Sequence, residues 1–208
     1  MRVKVCGLTS YEDAALALDQ GVDALGFNCY PRSPRYITPP EVRAIVRRLP
    51  PFAAAVGLFV NVGNPAELAE TARCAGVHIL QLHGDESPDY CRQLSGWILI
   101  KAIRIGKSLA QESLADYPAQ AFLLDAKDDV LFGGTGKTFD WSLAVGITKL
   151  RPIILAGGLH AGNVGDAIRA VQPYGVDVCS GVESKPGKKD PAKLREFMNE
   201  VRNVIQNR

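Results

Sequence analysis

Short β-branched or apolar runs alternate with amphipathic stretches along the chain, eight times in succession. The runs predict strands over residues 2–6, 23–28, 53–60, 77–82, 97–103, 119–125, 152–156 and 175–179. Each is followed by a helical signature. Residues 11–20 carry Ala and Leu at helical spacing and stop at Gly21. Asn64-Pro65 sets a capping side chain before a first-turn proline and opens a helix to about Cys74, and Ser87-Pro88 repeats that start signal. The last helix is expected over 191–205, with Leu194, Phe197, Val201 and either Val204 or Ile205 as its apolar stripe.

Eight strand-helix units in 208 residues take about 26 each. That lies near the lower end of the roughly 200 to 250 residues of a (β/α)₈ barrel. The expectation is therefore an α/β chain forming a single-domain TIM barrel over 1–208, with no linker long enough to divide it. The rival is an open doubly wound sheet, which would carry a glycine-rich fingerprint after its first strand. Cys6-Gly7-Leu8-Thr9 contains no G-x-G-x-x-G. Either architecture binds its ligand at the C-terminal ends of the strands, so the residues that close the strands are the ones to read for chemistry.

Composition narrows the class of ligand. With 24 Lys and Arg against 22 Asp and Glu, the net charge is +2. The charges are interspersed except for the basic stretch 185–189 and the arginines Arg32 and Arg35, so no nucleic-acid partner is expected. The longest apolar runs fall short of the roughly 20 residues that cross a bilayer, so no membrane partner is expected either. The N-terminal residues run straight into a strand pattern, without the features of a secretory leader. Five scattered cysteines, Cys6, Cys29, Cys74, Cys91 and Cys179, fit neither a disulfide framework nor a zinc site. They point to a reducing, cytoplasmic setting and to no metal.

Side-chain alternation puts Val3 and Val5 on one face of the first strand and Lys4 and Cys6 on the other. In a barrel, the second face turns Cys6 inward at the rim. There a thiol is a proton acceptor if a cation such as Lys4 brings its pKa down, or else a small buried apolar residue. The sixth run ends in Asp125, which reads equally as a general acid or base and as a turn-capping carboxylate. Gly133-Gly134-Thr135-Gly136-Lys137-Thr138 lacks the first glycine of a P-loop and reads as an active-site loop. Ala156-Gly157-Gly158-Leu159 and Ser180-Gly181-Val182-Glu183 follow the seventh and eighth strands, the two loops that commonly bind phosphate in such barrels. Between the second strand and its helix, Arg32 and Arg35 offer a carboxylate site or a solvated loop. His83 at the fourth strand end is an acid/base group or a loop-orienting one, while His78 and His160 have no partner visible in sequence.

Taken together, Lys4-Val5-Cys6-Gly7, Ser33-Pro34-Arg35, Gln81-Leu82-His83-Gly84, Asp125 with Gly133-Gly134-Thr135-Gly136, Phe139-Asp140-Trp141, Leu155-Ala156-Gly157-Gly158-Leu159 and Ser180-Gly181-Val182-Glu183 closely resemble the phosphoribosylanthranilate isomerases of tryptophan biosynthesis. The likeness covers nearly the whole chain in unbroken order. It implies a cofactor-free isomerase, an aldose-ketose interconversion by Amadori rearrangement of a small phosphorylated substrate. By matching position it implies Cys6 as general base, Asp125 as general acid and Arg35 on the anthranilate carboxylate. His83, Gly157, Gly158, Asp177, Ser180 and Gly181 are expected to complete the substrate site, Asp177 beside the ribosyl part. Loop 126–138 is expected to close over substrate, and the chain to act as a monomer or homodimer.

Two positions depart from the family pattern. Cys179 stands where Ser is expected, and Asn28-Cys29 where apolar residues are more usual. The alternatives are the related aminoaldose-phosphate isomerase of histidine biosynthesis, which would want a second strand-end Asp in place of Cys6, and a non-catalytic phosphosugar-binding barrel.

Overall fold

A computed structural model describes residues 1–105, 114–126 and 151–206. Eight parallel strands close into a barrel: β1 (Arg2–Val5), β2 (Ala24–Asn28), β3 (Ala54–Phe59), β4 (Ile79–Leu82), β5 (Ile98–Ile105), β6 (Ala121–Ala126), β7 (Ile153–Leu155) and β8 (Gly175–Val178). The strands pair in sequence order, and β8 returns to β1 with Lys4 opposite Asp177 and Val5 opposite Val178. Each lies within two residues of the run that predicts it. The helices are α1 (Tyr11–Asp19), α2 (Pro39–Val46), α3 (Pro65–Ala75), α4 (Pro88–Arg92), α5 (Ala161–Val171) and α6 (Pro191–Gln206). The expected helical units after β5 and β6 fall largely outside the described residues, as does most of loop 126–138.

Local chemistry places the helix starts. Asn64 accepts from the Ala66 amide and Ser87 from the Tyr90 amide, each ahead of a first-turn proline. Such side-chain oxygens satisfy donors that the first turn leaves without intrahelical partners. α3 ends at Gly76 in the left-handed conformation, φ 73°, where a side chain would be strained. His160, unpartnered in sequence, caps α5: its Nδ1 accepts from the Gly162 amide, and Asn163 accepts from the His160 amide. His78 is exposed.

The alternation of each strand separates two apolar layers. Val3, Val5, Leu25, Phe27, Leu80, Leu82, Phe122, Leu124, Leu155 and Val176 face the helices in one continuous core. Val56, Ile100, Ala102, Leu123 and Ile154 fill the barrel interior. Above them Cys6, Leu58 and Val60 form a small cluster at the C-terminal rim. The interior is thus a packed plug beneath the C-terminal rim. Among the described residues no helix is long and apolar enough to cross a membrane.

After β8 the chain makes a short 3₁₀ turn (Ser180–Val182) and a two-stranded hairpin, β9 (Glu183–Lys185) and β10 (Lys188–Lys189), before α6. The hairpin did not register as structure in the sequence. Lys189, read there as part of a basic stretch, is 1% exposed.

Candidate active site

The C-terminal rim opens into a cavity of about 350 Å³. Cys6, Arg35, His83, Asp125, Gly157, Gly158, Asp177 and Ser180 all line it. These are eight of the nine residues expected from sequence. Gly181 is not among the lining residues, and a Cβ there would overlap the Leu159 carbonyl oxygen, so glycine is needed for the loops after β7 and β8 to touch backbone to backbone.

Cys6 continues the β1 ladder, its amide donating to the Val178 carbonyl at 2.9 Å. Alternation turns its thiol inward beside Lys4, and Lys4 Nζ donates to Asp177 Oδ1 at 3.0 Å. Burial works against the Lys4 charge, but Asp177 and Cys6 together reverse it and hold the ammonium to higher pH than usual. Burial likewise pushes the Asp177 carboxyl up, with Lys4 opposing. For Cys6 the expected direction does not hold in the unliganded protein. Burial pushes the thiol above its ordinary value, and the attraction of Lys4 and Lys189 only reduces the rise. Lys4 is the cation expected from sequence, with its charge already shared with Asp177.

Asp125 stands at the end of β6, 5% exposed, with Oδ2 3.1 Å from His83 Nε2. On the far side of the ring, Gln81 Nε2 lies 2.8 Å from His83 Nδ1. The ring is thus held between the Gln81 amide and the Asp125 carboxylate. His83 therefore touches the carboxylate and orients it.

Arg35 is held by Glu183, which the sequence marked only as part of a motif. Arg35 Nε donates to Glu183 Oε1 at 3.0 Å, and Nη2 to Oε2 at 2.7 Å. Lys189 Nζ donates to the same carboxylate at 2.9 Å and to the Cys6 carbonyl at 2.6 Å. Burial pushes the Glu183 carboxyl up, and the two cations more than reverse it, leaving it below the ordinary carboxylate range. Arg32 lines the cavity from an exposed position. Asn28, one of the two departures, organises this loop: it donates to Ser33 Oγ and accepts from the Tyr30 amide, both at 3.0 Å. Cys179, the other, is buried enough that its thiol is pushed up to about 12.

The two glycine loops approach each other beside the cavity. Gly157 and Gly158 have φ of 83° and 63°, conformations that side chains resist. Asn163 Nδ2, from the first turn of α5, donates to the Gly158 carbonyl at 2.9 Å and fixes the turn. Such a nest of backbone amides near a helix N-terminus suits a phosphate. Among the described residues, no group of three or more His, Cys, Asp or Glu could hold a metal ion.

The missed participants are Gln81, Glu183 and Lys189. Gln81 and Glu183 stand inside quoted motifs and Lys189 inside a basic stretch, but their roles depend on contacts to His83, Arg35 and the Cys6 carbonyl that the local sequence does not reveal.

A family model described as N-(5'-phosphoribosyl)anthranilate (PRA) isomerase matches residues 3–200. The N-(5'-phosphoribosyl)anthranilate isomerase of Pelobacter propionicus is 49% identical over 199 residues, covering 95% of this chain and 94% of that protein. The crystal structure of phosphoribosyl anthranilate isomerase from Thermus thermophilus superposes with a TM-score of 0.91 at 38% identity, over 98% of this chain and 100% of that one. A phosphoribosyl anthranilate isomerase solved in complex with reduced 1-(o-carboxyphenylamino)-1-deoxyribulose 5-phosphate superposes at 0.87, also 38% identical, over 98% and 99%. With its barrel and nearly its whole length in common with these proteins, the chain belongs to the N-(5'-phosphoribosyl)anthranilate isomerase family.

Proposed function

We infer that this protein catalyses the Amadori rearrangement of N-(5'-phosphoribosyl)anthranilate to 1-(2-carboxyphenylamino)-1-deoxyribulose 5-phosphate in tryptophan biosynthesis, with residues 1–208 acting as one domain. The observation that carries the reading is the presence of a thiol, Cys6, and a carboxyl, Asp125, on one cavity that Arg35 and the two glycine loops also line. An acid and a base facing one pocket are what the reaction needs, whereas a binding module needs neither.

Asp125 gives a proton to the furanose ring oxygen. The bond from that oxygen to C1 breaks while the anthranilate nitrogen shares its lone pair, leaving an open-chain protonated imine. Cys6 as thiolate removes the C2 proton, and the electron pair moves to form the enolamine, which becomes the ketone as the Cys6 thiol returns a proton to C1 and the C2 hydroxyl gives its proton to the Asp125 carboxylate, restoring both groups. His83, 3.1 Å from Oδ2, orients Asp125. Gly157, Gly158, Ser180 and Gly181 hold the phosphate, Arg35 the anthranilate carboxylate, and Asp177, fixed by Lys4, lies beside the ribosyl part. The reaction is redox-neutral within one molecule, and every proton it moves has a donor or acceptor among these residues.

The test is a fluorescence assay of freshly generated substrate without added cofactor. Cys6→Ser and Asp125→Asn are each expected to lower kcat by about 10²- to 10⁴-fold while KM changes little. Near-normal turnover in either variant removes that residue from the chemistry.

The cytoplasm, where the pathway's phosphorylated intermediates are kept, is the proposed location. Of the two assemblies expected from sequence, the homodimer is favoured by one feature. Phe52 is 99% exposed beside the half-exposed Tyr174 on an apolar depression at the N-terminal mouth of the barrel. A second copy would remove this surface from water. Sedimentation velocity on the full chain and on Phe52→Glu distinguishes a dimer that dissociates in the variant from a monomer in both.

A further inference from the structure

The guanidinium that receives the substrate carboxylate is already engaged by a protein carboxylate. Glu183 takes the Nε and Nη2 edge of Arg35 in a two-pronged bond. A guanidinium has a second fork, formed by Nη1 and the other Nη2 hydrogen, so its geometry admits another carboxylate. Its charge does not. One Arg35 cation between Glu183 and a substrate carboxylate would leave a surplus negative charge in a site where Arg35 is 8% and Glu183 6% exposed. Burying an unbalanced charge is costly.

Lys189 restores the balance. Its ammonium is 2.9 Å from Glu183 Oε1, and the residue is 1% exposed. The hairpin β9–β10 delivers it there: the Lys189 amide donates to Asp13 Oδ2 at 2.8 Å, and Thr9 Oγ1 donates to the Gly187 carbonyl at 2.7 Å. Asp13 is itself paired with Lys188 at 3.0 Å, so it does not consume the Lys189 charge. Arg35, Glu183 and Lys189 together hold one net positive charge, the complement of one aromatic carboxylate.

We propose that Lys189, which does not line the cavity, is a specificity-determining positioning residue: it offsets Glu183 so that Arg35 is free in charge, as well as in geometry, to bind the anthranilate carboxylate. This rests on the isomerase reading and adds a role that the reading does not contain. The sequence separation of 154 residues between Arg35 and Lys189 keeps the arrangement out of sight until the barrel closes.

The experiment compares two ligands by calorimetry: reduced 1-(o-carboxyphenylamino)-1-deoxyribulose 5-phosphate and the same compound without its carboxylate. The ratio of their affinities isolates the carboxylate contribution. Lys189→Met is expected to reduce that ratio by roughly 10- to 100-fold while the decarboxy compound binds as before. Lys189→Met combined with Glu183→Gln returns the net charge to that of Arg35 alone, and is expected to recover most of the ratio. An unchanged ratio in the single variant, or a double variant no better than the single, overturns the proposal. A residue that merely braced the loop would weaken both ligands alike and would not be rescued by a second substitution. If Lys189→Met does not fold, Lys189→Gln, which keeps a donor for the Cys6 carbonyl, carries the same comparison. Turnover of the true substrate by wild type is measured alongside. Its absence would count against the isomerase reading and leave the ratio test standing.

Discussion

At Cys6, burial and electrostatics oppose each other. The thiol sits under a lysine, as a general base requires, yet desolvation keeps it protonated beyond its ordinary value in the free protein. Alkylation of Cys6 by iodoacetamide, followed by mass spectrometry across pH, should therefore rise with a midpoint above that of a free thiol. Rapid labelling at neutral pH would contradict this. Sequence alternation was enough to place Cys6 inward beside Lys4. The sign of its shift was not legible, because it depends on how completely the rim excludes water. Gly181 makes a second residue-scale case. Its missing Cβ lets two loops meet, so Gly181→Ala should raise KM and lower Tm together, both read on one purified variant. The sequence marked Gly181 for phosphate binding, and the structure adds the close approach as the reason only glycine fits.

At the scale of elements, buried ion pairs secure the loops that the strands only launch. Lys101 on β5, 2% exposed, donates to the carbonyls of Gly84 at 2.7 Å and Ala102 at 3.1 Å and to Glu86 Oε2 at 2.9 Å. Glu86 in turn accepts from the Asn61 and Gly84 amides. This clasp holds the segment that follows β4 and carries His83 toward Asp125. Lys101→Met would leave Glu86 as an uncompensated buried charge, and should destabilise the fold by about 3–5 kcal/mol in urea unfolding. A loss below about 1 kcal/mol, the scale of an exposed pair, would mean that the clasp is dispensable. Strands and capped helices were legible because their signals repeat within a few residues. The clasp was not: Lys101 looked like one polar residue in an apolar run, and the carbonyls it binds carry no sequence signature.

For the whole molecule, closure of the barrel buries several thiols at once. Burial pushes Cys91 up to about 11 and Cys179 up to about 12, and raises Cys6 as well. Above the ordinary thiol value of about 8.5, the unfolded chain releases these protons while the folded chain keeps them. The native state then binds more protons, so stability should be complete below that pH and fall as pH rises through about 9 toward 11. Urea midpoints at pH 8 and pH 10 measure the fall, and Cys91→Ala should reduce it. Equal midpoints at both pH values would show that the thiols titrate normally in the fold.

The sequence alone determined the eight strands, the helices found among the described residues, the facing of each strand and the residues that end the strands, because these follow from periods of two and about 3.6 residues and from local capping chemistry. It also marked eight residues that share one cavity and a ninth, Gly181, that lets its walls meet. Only the tertiary structure decided which charges pair. Lys4 with Asp177, Arg35 with Glu183 and Lys189 with the Cys6 carbonyl join residues 173, 148 and 183 positions apart. Closing a parallel sheet from β8 onto β1 brings the two ends of the chain to the same rim, and at that range spatial position, rather than any local pattern, sets the electrostatics of the site.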